Sequence, residues 1–130
     1  MNLVAVDRSG ASAQVRVEVV GRPLIALKMS VAGAAELEFP GKSLFKCLMD
    51  ARLWLESEDL LLCCQGSRPD VFPSGMLQQM NDGRFAYVLT PGSVLSEDDV
   101  VDIFSPADVS DIGTVAEQKA KVMEFFRLSE

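Results

Sequence analysis

The hydrophobic period of the chain changes at Pro40-Gly41, and this change restricts the possible folds more than any other feature. Before it, apolar and polar residues alternate over 14–20 and 35–39, which predicts strands with one buried face. After it, apolar residues recur at the spacing of one helix face: Leu44, Leu48, Ala51 and Leu55. Several strands followed by a helix indicate an α+β protein with an antiparallel sheet.

The predicted first helix covers residues 42–57. Ser43 is a candidate N-cap, because a serine oxygen at this position can accept hydrogen bonds from free backbone amides. Trp54, late in the helix, is expected to be partly buried. The charged residues of this segment are expected on the other helix faces: Lys46, Asp50, Arg52 and Glu56.

A dense apolar run at residues 60–64 follows the helix and predicts a strand buried on both faces. The loop over 66–75 holds Arg68 and Asp70 on either side of Pro69. This pair suggests either an ion pair that braces the loop or a recognition site in which the guanidinium holds a carboxylate or phosphate. Ser74 is a candidate cap for a short helix over 74–80.

The last third of the chain adds strands at 84–89 and near 100–104. Thr114 and Glu117 have the spacing of a capping box that opens a final helix. The apolar residues predicted to face inward from this helix are Val115, Val122, Met123 and Phe126. Residues 1–130 are therefore expected to form one α+β domain: a single mixed, largely antiparallel sheet packed by two longer helices and one short helix.

The net charge of −7 comes from one part of the chain. Seven acidic residues and no basic residue lie between Arg84 and Lys119, whereas the rest has 12 acids and 12 bases. The segment is either a solvated acidic face or a surface that attracts a basic partner. Six acids are the main candidate contacts, with Arg68 and Asp70 as further candidates: Glu97, Asp98, Asp99, Asp102, Asp108 and Asp111.

Other features narrow the function. The chain has no histidine, so a Ser-His-Asp site or a histidine metal ligand is excluded. Cys47, Cys63 and Cys64 have neither disulfide nor zinc-site spacing, and we expect packing residues, no metal and no cofactor. The sequence contains no basic stripe, so we do not expect direct nucleic-acid binding. No apolar run spans a membrane, and the start lacks the pattern of a secretory signal, so we expect a cytoplasmic protein.

Several strings resemble a family of small bacterial immunity proteins that are encoded beside polymorphic toxins, including toxins of contact-dependent growth inhibition. They are Gly41-Lys42-Ser43-Leu44, LLLCCQGSRPDVFPSGM at 60–76, Gly83, Ala86 to Leu89, Val101 to Phe104, and IGTVAEQ at 112–118. The resemblance covers about 41–126, and its most specific part is R-x-D-V-x-P-S-G-M. The family supplies no catalytic residues to transfer.

The resemblance implies a non-enzymatic protein that binds the C-terminal domain of a cognate toxin, with a nuclease expected and a monomer favoured. The acidic segment agrees with this function, because a nuclease active site that attracts phosphate is electropositive. One alternative is an acidic, dimeric chaperone of the type III secretion kind that binds an effector segment through apolar grooves. Another is a small enzyme or ligand-binding domain that uses the loop over 66–75.

Overall fold

A five-stranded antiparallel sheet forms the first layer of the protein, whose computed structural model describes residues 1–74, 81–90 and 97–128. Its strands are β1 (Asn2–Val6), β2 (Ser12–Val20), β3 (Ala26–Val31), β4 (Leu37–Pro40) and β5 (Leu61–Leu62). They lie in the order β4-β3-β2-β1-β5. No helix within the described ranges is long and apolar enough to cross a membrane.

One face of this sheet is buried, as the alternating pattern predicts. Val15 and Val17 on β2 are 1% exposed, and Val17 pairs with the fully buried Met29 of β3. Arg16 and Glu18 point to the opposite, exposed face. Because successive side chains of a strand alternate between faces, the period of two in the sequence selects the face that packs on the core.

Helix α1 (Leu44–Ser57) covers the buried face. It begins as predicted, since the Ser43 side chain accepts a hydrogen bond from the backbone amide of Lys46 at 3.1 Å. Trp54 is half-buried, also as predicted. The predicted apolar stripe is buried along its whole length: Leu44, Leu48, Ala51 and Leu55.

The apolar run after α1 differs from the prediction. Only Leu61–Leu62 forms a strand, and this strand pairs with β1 at the edge of the sheet. Leu62 and Cys64 are buried, whereas Leu61 and Cys63 are half-buried. The predicted five-residue strand buried on both faces is therefore wrong. An edge strand that packs on one side of the sheet buries only alternate side chains.

A second antiparallel sheet contains β6 (Val71–Phe72), β7 (Phe85–Val88) and β8 (Val100–Asp102), in that order. The predicted α+β class and the largely antiparallel pairing are confirmed, but the strands form two sheets instead of one. A 3₁₀ turn at Gln65–Ser67 separates β5 from β6, so that β6 pairs with β7 and does not extend the first sheet. The predicted short helix over 74–80 lies almost wholly outside the described residues.

Helix α2 (Val115–Leu128) is the last element of the described chain. Its predicted capping box is present: the Glu117 amide donates to Thr114 Oγ1 at 3.1 Å, and the Thr114 amide donates to Glu117 Oε1 at 2.8 Å. These two bonds satisfy amides that the first turn of a helix leaves free.

The buried face of α2 is only partly the predicted one. Val115 and Val122 are buried as predicted, but Met123 is 70% exposed and Phe126 is 45% exposed. The prediction that these two residues face inward is wrong. The buried positions follow the spacing i, i+3, i+7, i+10: Val115, Gln118, Val122 and Phe125. A polar residue, Gln118, thus occupies a core position of α2.

Candidate functional site

Arg68 and Asp70 form a bidentate ion pair in the loop before β6. Arg68 Nε lies 3.0 Å from Asp70 Oδ1, and Arg68 Nη2 lies 2.8 Å from Asp70 Oδ2. Arg68 Nη1 also donates to Gln65 Oε1 at 3.0 Å. These contacts fix the loop from within, as one of the two predicted alternatives requires. We call residues 65–70 the Arg68 loop.

A second loop, residues 108–113, carries two of the candidate acids, and we call it the Asp108 loop. It contains a 3₁₀ turn at Val109–Asp111, and Asp108 Oδ1 accepts hydrogen bonds from the Ser110 amide and hydroxyl, both at 3.1 Å. The bonds from Ser110 lower the pKa of Asp108, because they favour the charged form of its carboxyl group. Asp108 and Asp111 are both exposed.

The two loops border one shallow depression of about 240 Å³. We call it the two-loop surface, and its lining residues are Arg68, Pro69, Asp70, Ser110, Asp111 and Lys121. It brings together three of the predicted contact residues, Arg68, Asp70 and Asp111. The surface also contains Lys121 from α2, so it holds two carboxylates and two cations and is not a uniformly acidic patch.

Direct backbone contacts hold the two loops against each other. The Gly113 amide donates to the Ser67 carbonyl at 3.0 Å. A Cβ atom on Gly113 would lie 2.9 Å from Pro69 Cγ, closer than van der Waals contact permits. Glycine at this position therefore allows the close approach of the loops.

A buried polar pair behind the surface was not predicted. Arg52 on α1 and Gln118 on α2 are each 2% exposed, and Arg52 Nη1 donates to Gln118 Oε1. Arg52 lies outside the apolar stripe of α1, as expected for the charged residues of this helix, but the sequence did not indicate that it is buried. The sequence contained one usable signal, because Gln118 lies three residues after Val115 and four before Val122, within the buried stripe.

Asp102 lies at the end of β8 and has intramolecular partners. Its carboxylate forms an ion pair with Arg84, with Asp102 Oδ2 at 3.2 Å from Arg84 Nη2, and accepts a hydrogen bond from the Phe104 amide at 3.0 Å. The Arg84 guanidinium also lies over the Phe104 ring, 5.5 Å from its centroid. These intramolecular contacts use part of the hydrogen-bonding capacity of the Asp102 carboxylate.

The remaining candidate acids belong to the 3₁₀ turn Glu97–Asp99, directly before β8. Asp98 is exposed and Asp99 is half-buried, while the side chain of Glu97 lies outside the described part. The candidate acids thus occupy two sites in the fold. One group borders β8, and the other belongs to the Asp108 loop.

An apolar depression of about 240 Å³ lies between α1 and α2. Its apolar lining residues are Phe45, Met49, Phe72, Val122 and Met123. The Phe72 ring packs edge-on against Phe45, with centroids 5.4 Å apart, and against Phe126 at 6.5 Å. The exposed side chains of Met123 and Phe126 belong to the same side of the protein as this depression.

The thiols have the surroundings of packing residues. Cys47 and Cys64 are fully buried, Cys63 is half-buried, and burial raises the pKa of all three. Within the ranges that the structure describes, no three cysteine, aspartate or glutamate residues are grouped so that they could hold a metal ion.

No protein-family profile and no curated protein matches this chain.

Proposed function

We propose that the chain is an immunity protein that binds and neutralises the C-terminal domain of a cognate bacterial toxin. It acts in the cytoplasm as a monomer, and the expected toxin is a nuclease. The observation that carries the proposal is the segment with seven acids and no base between Arg84 and Lys119. The resemblance of the 60–76 string to immunity proteins supports the same function.

The proposed mechanism is electrostatic attraction followed by coverage of the active site. A nuclease active site attracts phosphate, and exposed carboxylates such as Asp98, Asp108 and Asp111 offer a similar negative charge. Complementary charges accelerate association, which protects the cell before damage accumulates.

The test uses the C-terminal domain of the toxin encoded beside this chain, in an inactive form. We expect a complex whose association rate falls as ionic strength rises, because salt screens charges separated by more than ~10 Å. The double variant Asp108→Asn, Asp111→Asn should associate several-fold more slowly than the wild type. A complex whose association rate does not change with salt would refute electrostatic attraction, and absence of any complex would refute the proposed function.

A matched control separates local charge from total charge. The double variant Glu18→Gln, Glu36→Gln removes the same two charges from exposed positions on β2 and before β4. We expect this control to associate at a rate close to that of the wild type. If both double variants slow association equally, net charge alone explains the effect and the Asp108 loop is not the contact region.

The apolar depression between α1 and α2 favours a second candidate function, an acidic secretion chaperone. Such a chaperone binds an unfolded effector segment through apolar contacts, and Met123 and Phe126 are exposed side chains that suit this role. Light scattering should then show a stable dimer that binds an isolated effector peptide. A monomer that binds only the folded toxin domain would exclude the chaperone.

A further inference from the structure

The guanidinium of Arg52 is buried, and within the described residues its hydrogen bonds go to neutral oxygen atoms. It donates to the carbonyl oxygens of Gly66 at 3.0 Å and Gly113 at 3.1 Å, and to the side-chain oxygen of Gln118. Among the described residues no carboxylate forms a direct ion pair with it. Glu56, one turn further along α1, accepts a hydrogen bond from the Val115 amide, and its negative charge favours the charged form of Arg52. Burial lowers the pKa of Arg52, which shows that the charged form loses solvation here.

Gln118 completes the same network from α2. Its Nε2 atom lies within hydrogen-bond distance of three carbonyl oxygens, those of Gly66 (3.0 Å), Arg68 (2.9 Å) and Val71 (2.8 Å). The carboxamide therefore contacts Gly66 and Arg68 of the Arg68 loop and Val71 of β6 through its nitrogen, and Arg52 through its oxygen. Every buried side-chain nitrogen and oxygen atom among the described residues has a partner.

Three of the four backbone carbonyls that this network contacts belong to the two loops that border the two-loop surface, and the fourth, that of Val71, belongs to β6. Gly66 and Arg68 belong to the Arg68 loop, and Gly113 ends the Asp108 loop. A buried charge whose hydrogen bonds go to neutral groups contributes little net stability, because the loss of hydration offsets those hydrogen bonds. Its specific effect is on geometry: three donors of fixed orientation require the two loops to keep one relative position.

We propose that Arg52 and Gln118 are positioning residues that hold the Arg68 loop and the Asp108 loop together as one preformed partner-binding surface. The coupling of the loops stands on these contacts alone, whereas its role in partner binding rests on the proposed function. A preformed surface binds without first losing loop freedom, so loss of the network should act on the lifetime of the complex.

The test variant is Gln118→Met, which removes the carboxamide without altering any charge. Amide hydrogen exchange of the full chain should become about tenfold faster at Gly113 and Val71, whose amides donate to the carbonyls of Ser67 and Arg68. Exchange within β2 and β3 should stay unchanged. Unaltered exchange at Gly113 and Val71 would overturn the positioning role.

Two further variants separate positioning from general loss of stability. Val17→Ala weakens the core beneath the first sheet, far in sequence from both loops, and should not selectively accelerate exchange at Gly113. Arg52→Met should accelerate that exchange, and adding Gln118→Met to it should produce less than the product of the two single effects, because both belong to one network. If the effects of the two substitutions on the exchange rate multiply, the two residues act independently, and the proposed network would be overturned.

The binding readout uses the same inactive toxin domain. Gln118→Met should raise the dissociation rate about tenfold and leave the salt dependence of association unchanged, since no surface charge is altered. Faster exchange with an unchanged dissociation rate would overturn the role in partner binding. If the wild type forms no complex with the toxin domain, the proposed function fails, while the exchange data still decide whether Arg52 and Gln118 couple the loops.

Discussion

Gly66 lies where the Arg68 loop passes closest to the core, and replacing it by alanine should destabilise the protein. A Cβ atom at this position would lie 2.5 Å from Leu48 Cδ2 and 3.0 Å from Ile103 Cβ. Carbon atoms that are not bonded normally approach to about 3.5–4.0 Å. Leu48 and Ile103 are fully buried, so neither side chain can swing into solvent to make room.

The expected cost has two parts. An added methyl group in a well-packed core costs ~1–3 kcal/mol, because neighbouring side chains and backbone must shift. Such a shift would also strain the hydrogen bond from the Gly66 amide to the Ile103 carbonyl at 2.9 Å, and a buried hydrogen bond contributes ~1 kcal/mol. We therefore expect Gly66→Ala to lower the free energy of unfolding by ~2–4 kcal/mol.

Urea denaturation at equilibrium measures this change, and Gly21→Ala is the matched control. Apart from Gly21 and its two chain neighbours, no described residue has an atom within 4 Å of a Cβ atom built at Gly21, so this variant should stay within ~1 kcal/mol of the wild type. In a Leu48→Ala background, Gly66→Ala should cost less, because the atom that its Cβ meets is absent. Equal stability of the two glycine variants, or an unchanged cost in that background, would refute the steric argument.

Three further predictions concern local contacts. Ser43→Ala should lower the free energy of unfolding by ~1 kcal/mol in urea denaturation, because the N-cap bond of α1 is lost; an unchanged midpoint would contradict this role. Cys47 and Cys64 should resist iodoacetamide in the native protein and react once it is denatured, since both are buried and burial raises their pKa; mass spectrometry would detect early modification. Asp108 has a folded pKa below its ordinary value of 3.8, so its carboxylate stabilises the fold above about pH 3.8 and loses this effect as the pH falls below that value. Asp108→Ala should therefore lower the thermal midpoint more at pH 7 than at pH 3, and equal shifts at both pH values would contradict the assignment.

Local features of the fold were predictable because each depends on residues close together in the chain. The alternation of Val15 and Val17 with Arg16 selected the buried face of β2, and the Thr114 capping box marked the start of α2. The division of strands between two sheets was not predictable in this way. It depends on which strand β6 pairs with after the 3₁₀ turn. The apolar pattern of Leu60–Cys64 predicts a five-residue strand, whereas only Leu61–Leu62 pairs at the sheet edge.

The sequence by itself determined the α+β class, the first helix with its cap, and the concentration of acidic residues between Arg84 and Lys119. Only the tertiary structure decided that Asp102 is paired with Arg84, that Met123 is exposed, and that Arg52 is buried. The physical reason is distance along the chain. Helical and strand periods act over a few residues, whereas Arg52 reaches Gln118 across 66 residues, and no local pattern specifies such a contact.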